Sequence, residues 1–156
     1  MVSEPDFDLK AAHKFFSVNC FNRAWDLMDK LERTAEEDEE MIRLSLASLW
    51  HWTQRQDCTP TNLSVGYWQA SRIYAMLGQP SAARQYGQRS LEIAQNANLE
   101  PFYLGYAYEA LARAESEDHR PKQMQACLRE ARKAVENISD PAAKQQLLDD
   151  LSSIII

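Results

Sequence analysis

Few of the residues that usually announce a chemistry occur in this chain. Its three cysteines, Cys20, Cys58 and Cys127, are odd in number, widely separated and never in CxxC spacing. That excludes a disulfide framework and reads as reduced thiols, so a cytoplasmic location is expected. Only four glycines are present, none in a loop that could cradle phosphate, and there is no GxSxG elbow and no Cys beside a His. The histidines, His13, His51 and His119, are too scattered for HExxH or another compact metal motif. No catalytic residue, metal or cofactor is therefore expected. Basic residues are outnumbered, seventeen against twenty-three acidic, for a net charge of −6. No Lys/Arg stripe interleaves with aromatics, which argues against nucleic acid as a partner. No apolar run is long enough to span a bilayer, and the opening MVSEPDFDLK is acidic without an apolar core, so neither membrane insertion nor a secretion signal is expected.

Strand-like alternation is missing too, and helix signals take its place. Prolines 60, 80, 101, 121 and 141 recur about every twenty residues, each ahead of a helix-like stretch. Proline suits the first helical position, where its absent N–H costs nothing, so the series marks successive helix starts. The pattern predicts helices over 6–17, 20–33, 36–55, 60–77, 80–96, 101–116, 121–137 and 141–153. The expected fold class is all-α, with stacked antiparallel helical hairpins in a single domain over 1–156. That length buries roughly two thirds of the surface that the unfolded chain exposes, without any staple.

Thr34 stands three residues before Glu37, a capping-box spacing, and the acid run from Glu36 to Glu40 suits a helix N-terminus. Residues Met41 to Trp52 are apolar around nearly the whole helix, which predicts a central element covered on several sides. Leu63, Tyr67, Ala70, Tyr74 and Leu77 form one predicted core stripe; Met124, Leu128, Ala131, Val135 and Ile138 form another. Ala83, Gly87, Ser90 and Ala94 make a small-residue face that permits close helix approach. Leu147, Leu148, Leu151, Ile154 and Ile155 point to a capping helix or a dimer contact.

The stretch from Tyr67 to Leu91, YWQASRIYAMLGQPSAARQYGQRSL, resembles the tetratricopeptide repeat. Ser71 takes the small position of the first helix, Tyr74 its later aromatic, Gly78 the turn, and Ala83 and Ser90 the small positions of the second helix. A poorer unit covers 101–138, with Ala107, Ala110, Ala114, Cys127 and Ala134. A weak one covers 8–33, with Ala12, Phe15, Asn19 and Ala24. About forty residues per helix pair exceeds the usual thirty-four of the family, and the helix over 36–55 interrupts the alternation. The resemblance implies a protein or peptide partner held on a concave helical face. The family's carboxylate-gripping Lys and Asn pattern is not visible, since only Arg72 and Arg113 stand as candidates.

Four polar residues fall where burial is predicted: His51, Arg72, Glu109 and Arg113. Glu109 and Arg113 sit four apart and can pair. Arg72 lies one turn after Trp68, so its guanidinium can stack on the indole and turn its fork to Glu109 or to a ligand's acid group. With Trp52, Tyr67, Trp68, Tyr74 and Tyr106, these residues compose either a closed structural network or a groove with aromatic walls. Three functions compete: a protein-interaction module, a small-molecule binder or enzyme using this cluster, and a homo-oligomer joined through the terminal helix.

Overall fold

The computed structural model describes residues 5–155. Among them are seven helices and no strand: α1 (Leu9–Met28), α2 (Ala35–Thr53), α3 (Pro60–Met76), α4 (Pro80–Asn96), α5 (Pro101–Glu117), α6 (Pro121–Glu136) and α7 (Pro141–Ser152). All five periodic prolines open a helix. The chain divides into two compact units at the Thr59–Pro60 boundary.

The first unit is the hairpin of α1 and α2. Here the structure departs from expectation, because the predicted helices over 6–17 and 20–33 are one continuous helix. Nothing between Val18 and Cys20 can stop a helix: there is no proline, no glycine and no αL residue. The predicted helix over 36–55 is consequently the second arm of this hairpin rather than an interruption. Asp8 caps α1 by accepting from the Ala11 amide at 3.0 Å. The turn is closed by Arg33, which donates to the Lys30 carbonyl at 3.1 Å and to Asp38 Oδ1, in the first turn of α2, at 2.8 Å. The predicted capping box is present: the Glu37 amide donates to Thr34 Oγ1 at 3.2 Å, and the Thr34 amide to Glu37 Oε2 at 2.9 Å. α1 buries Ser17, Cys20, Ala24 and Met28 at helical spacing, and Ser48 Oγ of α2 donates to the Ser17 carbonyl at 2.6 Å. α2 is not covered on all sides, since Arg43 and Trp50 are exposed. The rest of Met41–Trp52 is buried or half-buried, and Trp50 is the one large apolar side chain of α2 that stands exposed.

The second unit stacks α3 on α4, α4 on α5 and α5 on α6, with α7 against α5 and α6; α3 also packs on α5. Its turns repeat one device. Gly78, Asn98 and His119 adopt positive φ (67°, 50° and 53°) just after a helix end. In each case the next amide reaches back five residues: Gln79 to Tyr74, Leu99 to Ala94 and Arg120 to Glu115, all at 2.9 Å. This satisfies carbonyls that the helix leaves orphaned and turns the chain toward the next proline.

The small face of α4 is buried as predicted, through Ala83, Gly87, Ser90 and Ala94. It is also hydrogen-bonded to α3. Ser71 Oγ donates to the Ala83 carbonyl at 2.7 Å, and Ser64 and Ser90 each donate to the other's carbonyl at 3.1 and 2.9 Å. The predicted α6 stripe is buried throughout, whereas in α3 the deepest residues are Gln69, Ser71, Ile73, Ala70 and Ser64, so that of the predicted stripe Ala70 is buried. Leu63, Tyr67, Tyr74 and Leu77 lie only half-buried at its margin. Two helices cover α3 on different sides, so small residues take the closest approach and the bulky stripe is displaced outward. Leu147 and Leu151 are buried within the unit, where α7 packs on α5 and α6, whereas Leu148 and Ile154 are half-buried and Ile155 is exposed.

Candidate functional site

Among the eight site candidates, the fold draws five together around Glu109. This carboxylate is fully buried on α5, and an isolated charge there would be costly unless paired and hydrogen-bonded. It receives three donors: Trp68 Nε1 reaches Oε2 at 2.9 Å, while Arg72 reaches Oε1 at 3.1 Å and Arg113 Nε donates to the same oxygen. Both the Arg72–Glu109 and the Glu109–Arg113 pairings are therefore made. The Arg72 guanidinium lies 5.7 Å from the Trp68 ring centre.

A residue without a local signal completes the cluster. Asp150 of α7 accepts from the Tyr106 hydroxyl at 2.6 Å, and its other oxygen lies 3.6 Å from Arg72 and 3.8 Å from Arg113. Arg113 also donates to the Asp150 carbonyl at 3.0 Å and to Ser153 Oγ at 2.9 Å. Tyr106 meets Trp68 edge to face at 5.5 Å, and burial together with the Asp150 carboxylate pushes its phenol well above the usual range. Asp150 stands 37 positions from Arg113 and 44 from Tyr106, and only the docking of α7 on α5 brings it there. With both oxygens of Glu109 taken by donors, the arrangement fixes the register of α3, α5 and α7. It offers no free base or nucleophile.

The other three candidates lie elsewhere. Tyr67 belongs to a stack with Tyr86 and Tyr74, ring centres 6.1 and 5.4 Å apart along the series, and Arg89 lies over Tyr67 at 5.5 Å. Trp52 carries the Arg55 guanidinium 3.8 Å above its ring. His51, in the first unit, pairs with His13 of α1 through Nδ1 atoms 2.8 Å apart. Such a pair needs one ring to donate and the other to accept. Burial first, and the neighbouring His13 second, hold His51 below the ordinary imidazole value.

Around this histidine pair the surface is aromatic. Trp50 touches His13 edge to face at 5.4 Å and lies 4.9 Å from His51; Phe16 lies 5.4 Å from His51 and 5.2 Å from Phe15. These three rings are outward-facing, with Phe15 58%, Trp50 56% and Phe16 43% exposed. Sequence reading missed this patch because its members come from two helices, and a phenylalanine or tryptophan at helical spacing reads as core.

Among the described residues, no group of three or more His, Cys, Asp or Glu could hold a metal ion, and no helix is long and apolar enough to cross a membrane. No model of a protein family matches the chain, and neither a characterised protein nor a solved structure is significantly similar to it.

Proposed function

We propose that the chain is a tetratricopeptide-like module that binds a protein or peptide, acting in the cytoplasm without a cofactor. The repeat reading is supported by Ser71 bonded across its hairpin to Ala83, by Gly78 in the left-handed turn, and by α3 packing on both its hairpin partner and the first helix of the next pair. Three free thiols suit a reducing compartment.

The observation that carries the binding function is the exposed cluster of Phe15, Phe16 and Trp50 on the first hairpin. Grouped exposed aromatics are what protein-binding surfaces concentrate, because a rigid ring buries much area at little entropic cost. The Glu109 cluster is internally saturated, which directs the function away from it and toward this surface.

The reading is tested by peptide display on the folded protein, followed by 19F NMR of protein labelled with 5-fluorotryptophan. Selected peptides should move the Trp50 resonance, and Phe16→Ala with Trp50→Ala should abolish enrichment while leaving the circular dichroism unchanged. Peptides that bind the double variant as well as the parent would overturn it.

A further inference from the structure

At the open end of the α1–α2 hairpin lies a cavity of about 300 Å3, lined by Lys10, His13, Lys14, Gln54, Arg55, Gln56 and Asp57. We infer that it is a binding site for a phosphoryl group, held by Lys10 and Lys14 with help from His13 and the Gln54 and Gln56 amides. The inference is independent of the aromatic surface and of the nature of any protein partner.

Charge is the first argument. The chain as a whole carries −6, yet this cavity gathers Lys10, Lys14 and Arg55 against the one carboxylate of Asp57. A concave site lined by one sign of charge concentrates ligands of the other. Lys10 and Lys14 stand one helical turn apart and project from the same side of α1. Neither makes a side-chain ion pair among the described residues, whereas Lys30 and Lys133 do.

The second argument concerns the shape of the anion. Arg55 is the only guanidinium in the lining, and its fork is already filled: Nε and one terminal nitrogen donate to the two Asp57 oxygens at 2.8 and 2.7 Å, and the other donates to Ser17 Oγ at 2.9 Å. The Trp52 ring beneath it fixes that orientation. The pair with Arg55 holds the Asp57 carboxyl down to about 2, so Asp57 stays ionised and its charge is balanced by Arg55. A planar carboxylate is best gripped by a free arginine fork, and none is available. What remains are two lysine point charges, an imidazole, the Gln56 amide and the Gln54 amide, which has one N–H left beside its bond to Thr53 Oγ1 at 3.0 Å. That set suits a compact anion with several oxygens, as phosphate is.

The third argument is the proton supply. His13 lines the cavity while its Nδ1 faces His51. When Nδ1 of His13 accepts from His51, its Nε2 carries the proton and is a donor. The facing groups from α1 are Lys10 and Lys14; from the segment after α2 they are Arg55 and Asp57. In that arrangement of the histidine pair, His13 presents the donor that an anion requires.

The test is titration of the whole protein with sodium phosphate and with sodium pyrophosphate, following backbone amides by 1H–15N NMR. Saturable shifts should centre on residues 10–14 and 54–57. Lys10→Ala with Lys14→Ala should weaken binding at least tenfold, and Lys133→Ala should leave it unchanged. The lysines are exposed, so the double variant should fold, which circular dichroism verifies. A phosphoserine peptide that binds more tightly than phosphate, while its unphosphorylated form does not bind, assigns the phosphoryl group to a protein; equal affinity for peptide and phosphate assigns it to a small molecule. Unsaturable shifts, shifts centred elsewhere, or a double variant that binds like the parent would overturn the inference.

Discussion

Glu109→Ala is the most demanding test of the packing described above. Removing one member of a buried ion pair leaves its partners uncompensated, at a cost of about 3–5 kcal/mol. Three donors lose their acceptor here. The Trp68 indole N–H is buried and its loss alone costs about 1–3 kcal/mol. Arg72 and Arg113 fare better, because their side chains are 20% and 18% exposed and Asp150 lies within 3.8 Å of both. Water and Asp150 therefore recover part of the loss, which places the change near the bottom of the range, at about 3 kcal/mol. Urea unfolding should show the midpoint falling with an unchanged slope, and the melting temperature should drop by about 10 °C. The combined replacement Arg72→Met, Glu109→Leu and Arg113→Met should restore part of the stability, since apolar side chains can fill the same volume without stranding the two guanidiniums, while the Trp68 indole N–H still lacks the Glu109 acceptor and Asp150 loses its cationic neighbours. A loss below about 1 kcal/mol for Glu109→Ala, the worth of an exposed ion pair, would refute the buried-cluster reasoning.

Two further outcomes follow from the same structure. Because His51 is held below its ordinary value when folded, the unfolded chain takes up more protons as pH falls through about 6.5, and stability declines across that window until His51 is protonated in the folded state as well; His51→Gln should flatten this slope in urea titrations between about pH 7.5 and 5.5, and an unaltered slope would remove the histidine pair as its source. Gly105→Ala brings a methyl group within 2.5 Å of Leu147 Cδ2 and 3.4 Å of Ala134 Cβ, in a fully buried region; overpacking of about 1–3 kcal/mol exceeds the about 0.5–1 kcal/mol gained by removing a helical glycine, so chemical denaturation should show a net loss, and a gain would contradict the close α5–α7 approach.

The helical class and five of the seven helix starts were legible because proline acts locally: its fixed φ and missing N–H favour one position of a helix whatever surrounds it. The capping box at Thr34 was legible for the same reason. So were Arg72–Glu109 and Glu109–Arg113, since helical spacing and charge restrict where such side chains can find relief. The continuity of α1 through Val18–Cys20 was misread because weak propensity differences there do not stop a helix that packs along its length.

What only the tertiary structure decided lies beyond the reach of spacing. Asp150 enters the Glu109 cluster because α7 docks on α5, and His51 turns to His13 because α1 lies beside α2. The sequence could say that Trp50, Trp52, Tyr67 and Trp68 were bulky and apolar; it could not say which would be buried. Trp68 is sealed against Glu109 while Trp50 stands in solvent, and that division depends on which helix flanks acquire a neighbour. Local chemistry therefore determined the elements and their ends, and long-range packing determined which of the same residue types became core, clamp or surface.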